Sequence, residues 1–268
     1  MILSFTNQKG GVGKTTTVLN LGTFLALKGK KVLLVDLDPQ ANLTSGIGYK
    51  PEKKLSPKKD AGTFKTKKTP NIYDIMIKKS KIPEAFVSTE IENLFLVPSS
   101  LDLAGAEIEL VNMMSRESIL KKALKDIKAY YDYILIDCPP SLGLLTINAL
   151  VAADKVIIPI QSEYFALEGL SQLLKTVEMI RNTLNRTLKI GGVIITMFDS
   201  RTRLSKAVED EVKIYFKKRV FRSRIPRNVK LSESPSYGKP IVLYDETASG
   251  SIAYRKLADE FIKRFDEK

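Results

Sequence analysis

Apolar residues in this chain come in two rhythms. Short unbroken runs lie over 2–5, 31–36, 94–97, 133–137, 155–160 and 190–198. Each is strand-sized and apolar on both faces, the pattern of a parallel sheet covered by helices on either side. Between the runs the spacing turns helical. Val18, Leu21, Phe24, Leu25 and Leu27 predict a helix over 16–27, with Gly29 placed to stop it. Similar spacing predicts helices over 72–78, 101–114, 119–127, 163–184 and 251–265, the last carrying Leu257, Phe261, Ile262 and Phe265 on one side. Strand and helix alternate from end to end and no long period repeats. The expectation is one α/β domain over 1–268, with a single doubly wound, mostly parallel sheet and helices on both faces.

One stretch breaks the pattern. Residues 49–69 hold eight lysines and few large apolar side chains apart from Leu55 and Phe64. That composition predicts a mobile, solvated insertion. A lysine-rich surface segment without a specific partner is weighed above an accessory grip on nucleic acid.

Composition narrows the chemistry. The chain has 268 residues and 44% hydrophobic content, enough for a real core. Its apolar runs are too short to span a bilayer, so a soluble cytoplasmic protein is expected. The single cysteine, Cys138, cannot form an internal disulfide and is read as a small apolar residue. With no histidine, the ligand set of an ordinary zinc site is missing. A formal net charge of +13 suits either attraction of polyanions or simple solubility. Basic residues concentrate between 201 and 230, and are read as loop and turn positions rather than a helix stripe.

Three segments carry candidate chemistry, each at the end of an expected strand. Lys9-Gly10-Gly11-Val12-Gly13-Lys14-Thr15-Thr16 follows the first strand and opens the first helix. It matches the last five residues of the phosphate-cradling pattern G-x-x-x-x-G-K-[ST]. Gln8 replaces the first glycine and Lys9 adds a second lysine, which makes this the deviant Walker A form of a P-loop NTPase. Asp36-Leu37-Asp38-Pro39-Gln40 puts two carboxylates at the C-terminal edge of the sheet, where ligands of open α/β folds bind. An Asp-Pro turn with Asp38 as a cap is the plainer alternative. Ile134-Leu135-Ile136-Asp137-Cys138-Pro139-Pro140 has the form of a Walker B segment, whose aspartate holds Mg2+.

Those segments, with Ile225-Pro226-Arg227-Asn228-Val229-Lys230-Leu231-Ser232-Glu233-Ser234-Pro235-Ser236-Tyr237-Gly238-Lys239-Pro240-Ile241, resemble the ParA/Soj family of chromosome and plasmid partitioning ATPases. The likeness covers nearly the whole chain in the family's motif order. It implies ATP as substrate, Mg2+ as cofactor, an ATP-dependent homodimer, non-specific DNA and a ParB-like centromere-binding protein as partners, and a cytoplasmic, nucleoid-associated place. Residue by residue, it implies phosphate binding by Gly10, Gly11, Val12, Gly13, Lys14, Thr15 and Thr16. Thr15, Asp36 and Asp137 would hold the metal. Lys9 resembles the signature lysine that crosses to the partner's phosphates, and Asp38 the residue that positions the attacking water. Pro226 and Asn228 match adenine-side contacts, while Arg201, Arg227 and Lys230 fall among DNA-backbone contacts. The family's larger members carry a helix-turn-helix domain ahead of the loop. This chain starts almost at the loop, so sequence-specific operator binding is not expected. The alternative is a MinD-like membrane-positioning ATPase whose last helix binds lipid. An iron-protein-like reductase fails, because a cluster shared by two subunits needs two cysteines from each.

Overall fold

The computed structural model describes residues 1–50, 53–57, 64–163 and 170–266. β1 (Ile2–Phe5) runs through the glycine loop into α1 (Lys14–Leu27), then β2 (Val32–Asp36) and the short α2 (Asn42–Gly46). β3 (Lys53–Pro57) and β4 (Phe64–Lys68) follow, then α3 (Ile72–Met76), α4 (Ile82–Ala85), β5 (Val87–Ser88), β6 (Leu94–Val97), α5 (Leu103–Leu110) and α6 (Ile119–Lys125). The second half comprises β7 (Tyr133–Asp137), α7 (Leu144–Ala152), β8 (Lys155–Gln161), α8 (Leu170–Thr183), β9 (Lys189–Thr196), α9 (Arg203–Phe216), α10 (Val229–Glu233), α11 (Ile241–Tyr244) and α12 (Ser249–Phe265).

Seven strands form one sheet in the order β5-β6-β2-β7-β1-β8-β9. Every pairing is parallel except β5 with β6. The apolar runs are continuous because both faces are buried. Ile2, Leu33, Val35, Ile134 and Ile136 join the core beneath α3, α5, α6, α7 and α8. Leu3, Phe5, Leu34 and Leu135 join the core shared with α1 and α12. This strand order sets β1, β7 and β2 side by side with their C-terminal ends level. Phe5 is in register with Asp137, and Asp137 with Asp36.

The expected doubly wound α/β sheet is therefore what forms, with local differences. The helix expected over 101–114 is limited to α5, and Met114 beyond it is 89% exposed. Of the helix expected over 163–184, residues 170–183 form α8 and 164–169 lie outside the described residues. The basic segment after Arg201 is expected as loops, yet α9 occupies 14 residues of it, anchored through Val208, Val212 and Phe216. Its buried positions Val208, Val212 and Phe216 keep helical spacing, and the sequence reading passed over it. Within 49–69, β3 and β4 pair antiparallel from Lys53 opposite Lys68 to Pro57 opposite Phe64, apart from the main sheet. The rest of the expected mobile insertion, 51–52 and 58–63, lies outside the described residues.

Two glycines seal the joint between the end of α2 and the segment leading to α11. Gly48 (φ +83°) and Gly238 (φ +64°) meet backbone to backbone, and a Cβ on Gly238 would stand 2.7 Å from Gly48 Cα. Both the left-handed backbone and the close approach demand glycine. Gly238→Ala should therefore lower unfolding free energy by about 2 kcal/mol or more. Gly29→Ala, at φ +79° but facing open space, should cost only about 1 kcal/mol. Urea titration of both variants checks the ranking.

Candidate functional site

At the C-terminal end of β1 the chain turns sharply into α1. Gly13 (φ +81°) occupies the N-cap, with no side-chain cap and no acidic residue in the first turn. The helix thus opens with unpaired N–H groups and its positive dipole end, a site suited to an anion. Thr196, closing β9, braces the turn by donating its hydroxyl to Val12 O at 2.8 Å. Asn7 fixes the entry, accepting from Lys9 N at 3.0 Å and donating to Pro159 O at 2.7 Å. Lys14 is buried, and its Nζ donates to Lys9 O at 3.2 Å. Burial pulls its pKa down, while Asp137, Cys138 and Asp38 push the other way.

The carboxylates stand beside this ammonium, on the strands the sheet order makes neighbours. Asp36 is fully buried, and its Oδ2 accepts from Thr44 N at 2.8 Å and Thr44 Oγ1 at 2.6 Å. Its Oδ1 accepts from Asp38 N at 3.2 Å. Burial outweighs these bonds and raises its pKa to about 6. Asp137 is equally buried and worse served. Neither oxygen has a hydrogen bond of ordinary geometry, although the Thr15 hydroxyl is close enough to ease the charge. Burial, and then the Asp36 charge, push its pKa well up. Asp38 keeps its Oδ1 on Gln40 N at 2.9 Å, and its carbonyl accepts from Ser99 Oγ at 2.8 Å. A divalent cation with oxygen preference fits this donor set, because Asp137 offers two buried oxygens that nothing else satisfies.

Next to the loop lies a cavity of about 490 Å³ lined by Gly13, Thr16, Met197, Pro226, Arg227 and Asn228 among others. That volume suits a small-molecule ligand. Pro226 bridges to Phe198 and so extends the sheet edge. Asn228 caps α10 by accepting from Leu231 N at 3.2 Å and donates to Ser249 Oγ at 2.8 Å.

The structure thus gathers Lys9, Gly10, Gly11, Val12, Gly13, Lys14, Thr15, Thr16, Asp36, Asp38, Asp137, Pro226 and Asn228 at one edge of the sheet. Of the three basic residues, Arg227 lines this cavity, whereas Arg201 and Lys230 do not. Arg201 forms a two-pronged pair with Asp199 at 2.9 and 2.7 Å, holding that carboxyl at about 2. Lys230 pairs with Glu233 at 3.3 Å. Arg227 reaches Glu163 at 3.2 Å on the cavity rim. Sequence reasoning missed Asn7, Thr44, Ser99 and Glu163, and saw Thr196 only as a strand end. No spacing rule marks a hydroxyl or carboxylate whose partner comes from another strand.

The fold and the loop define a P-loop nucleotide-binding α/β protein. A profile of the AAA domain family matches residues 1–190. The chain is 54% identical over 259 residues to the sporulation initiation inhibitor protein Soj of Bacillus subtilis, covering 97% of each. It is 50% identical to the chromosome-partitioning ATPase Soj of Treponema pallidum, covering 98% of this chain and 97% of that one. A crystal structure from Mycobacterium smegmatis, named cobyrinic acid a,c-diamide synthase with bound ATP analog and magnesium, superposes with a TM-score of 0.81 at 37% identity. That match covers 99% of this chain and 95% of the other. The chain belongs to the Soj/ParA family of chromosome-partitioning proteins.

The buried carboxylates make stability depend on pH. An acid whose pKa is raised by folding binds more protons folded than unfolded between the two values, here 3.8 and about 6 for Asp36. Stability should then fall as pH rises through that window. Thermal melts without divalent cations should show this decline, and Asp36→Asn should make it shallower, with buried Asp137 keeping a share of it. An unchanged slope in the variant would contradict the assignment.

Proposed function

We propose that this chain is a Mg-dependent ATPase that closes into a homodimer on ATP and holds DNA non-specifically in that state. Hydrolysis, stimulated by a ParB-like partner, releases it, and repeated cycles move a chromosome or plasmid. The observation that carries the reading is Asp137, buried with two unsatisfied oxygens beside Thr15, Lys14 and an open helix N-terminus. Few arrangements other than a metal–phosphate ligand would answer that deficit. The relatives at 54% and 50% identity, whose names concern sporulation control and partitioning, weigh more here than the neighbour at 37%.

In this reading the backbone N–H groups of residues 10–16 and Lys14 cradle the phosphates. Thr15, Asp36 and Asp137 would hold Mg2+, which would supply positive charge to the phosphate oxygens. Thr44 and the Asp38 N–H keep Asp36 in place. Asp38 orients the attacking water, with Ser99 and Gln40 fixing its turn. Lys9 crosses to the second copy's phosphates and meets the charge that builds up during transfer. Pro226 and Asn228 flank the base. Arg201 and Lys230 contact DNA phosphates, whereas Arg227, on the cavity rim, serves the nucleotide side. A MinD-like lipid switch is disfavoured because α12 buries Tyr254, Leu257 and Phe261 in the core it shares with α1. Among the described residues no helix is long and apolar enough to cross a membrane.

The deciding experiment is the ATPase rate with and without generic duplex DNA. No stimulated turnover under any combination with a candidate ParB-like peptide would count against the proposal. Lys14→Ala should abolish ATP binding, and Asp38→Ala should bind ATP, fail to hydrolyse it and stay dimeric on DNA. An Asp38→Ala enzyme that turns over at the wild-type rate would remove Asp38 from the mechanism. In gel shifts with ATP, retention should be indifferent to sequence and fall steeply with salt. Arg201→Ala should weaken it and reduce the salt slope by about one. Unchanged affinity in that variant would discard Arg201 as a DNA contact.

A further inference from the structure

Glu163, just past the end of β8, shares its carboxylate among three elements. Oε2 meets Lys9 Nζ at 3.5 Å. Oε1 accepts from Arg227 Nη2 at 3.2 Å and from Gln161 Nε2 at 2.6 Å. The phosphate loop, the cavity rim and the sheet edge are thereby tied at one point. The Lys9 main chain is pinned as well, its N–H on Asn7 and its carbonyl on Lys14 Nζ. Only the Lys9 side chain is free to swing.

We propose that Glu163 is a positioning residue that holds Lys9 on its own protomer until nucleotide arrives, and so sets how readily the ATP dimer forms. The inference rests on the dimer reading of the proposed function. One ammonium cannot pair with its own Glu163 and also span to a second copy's phosphates. A triphosphate entering the cavity brings negative charge towards both Lys9 and Arg227, draws them off and repels the carboxylate they leave. As Lys14 turns to those phosphates it also gives up Lys9 O, which loosens the same residue. The contact is soft enough to open. Lys9 and Glu163 are 37% and 44% exposed, and an ion pair of that kind changes an equilibrium by at most about fivefold. A dimer releases two of them.

The test is sedimentation velocity of the full chain with a non-hydrolysable ATP analogue, together with monomer affinity for a fluorescent ADP. Glu163→Gln keeps the shape and removes the charge. It should lower the protein concentration for half-dimerisation by roughly three- to tenfold, with ADP affinity within about twofold of wild type. Glu163→Asp, which keeps the charge, should stay near wild type. The gap between Glu163→Gln and wild type should narrow at high salt, since an exposed pair is screened. A loss of packing alone would not follow salt in that way. If wild type dimerises and Glu163→Gln dimerises equally or less readily, this inference is overturned alone. A wild-type chain that stays monomeric with the analogue overturns the dimer reading and this inference with it.

Discussion

Two carboxylates held dry on adjacent strands repel each other and lack the water that would stabilise them. Asp36 and Asp137 are in that position, level with each other at the sheet edge and both fully buried. Asp36 is partly reconciled by Thr44 and the Asp38 N–H, while Asp137 has only the nearby Thr15 hydroxyl. The buried ammonium of Lys14 feels two carboxylates, Asp137 and the likewise buried Asp38. Paired charges in a low-dielectric interior are tolerable, but a surplus of one sign is costly and drives either protonation or cation binding. The raised pKa values express the first response and a metal–phosphate ligand would supply the second. The site is built with its charge incomplete.

That incompleteness persists only if the frame cannot relax. β1, β7 and β2 lie inside the sheet with helices on both faces, so none of them can shift to let water reach Asp137. The antiparallel pairing of β5 with β6 is short and lies at the sheet edge away from the site. Thr196 ties the phosphate loop to β9 across the molecule, and Asn7 ties its start to β8. What remains adjustable is side chains: Lys9, Lys14, Arg227 and Glu163 can all trade partners without moving a strand. A rigid floor with mobile charges above it suits a switch, because ligand charge is converted into changed contacts at low structural cost.

Much of this was legible in the sequence because it depends on local rules. A strand buried on both faces shows as an apolar run, and a phosphate loop fixes its residues within one turn. Asp36, Asp38 and Asp137 each end such a run, so their place at the ligand edge came from chain direction alone. That Asp36 and Asp137 are neighbours did not. It depends on β7 inserting between β1 and β2, a choice made by tertiary packing. The same limit hid Thr44, Ser99 and Glu163, whose meaning lies in partners 8, 61 and 154 residues away. α9 was missed for a different reason. Its amphipathic spacing was there to be seen in Val208, Val212 and Phe216, but the density of basic residues drew the reading to loops. β3 and β4 pair within a segment whose composition predicts a solvated insertion.

The net charge of +13 does not say which basic groups are free. Arg201, Arg227 and Lys230 each hold a carboxylate of their own: Asp199, Glu163 and Glu233. At a distance such a pair is nearly neutral, so the field that first draws in a polyanion has to come largely from other lysines. On contact the arithmetic changes. A phosphate oxygen can take the place of a neighbouring carboxylate oxygen on the same guanidinium with little geometric change, because both accept in the same fork. In the proposed DNA complex, binding would be an exchange in which Asp199 is set free as the phosphate is gained, each exchange contributing only the difference between two similar bonds. Strong, sequence-blind attachment on those terms needs several exchanges at once and the release of counterions from the polyanion. In the proposed dimer the doubled surface would supply both, which would make nucleotide-driven association the step on which DNA affinity turns.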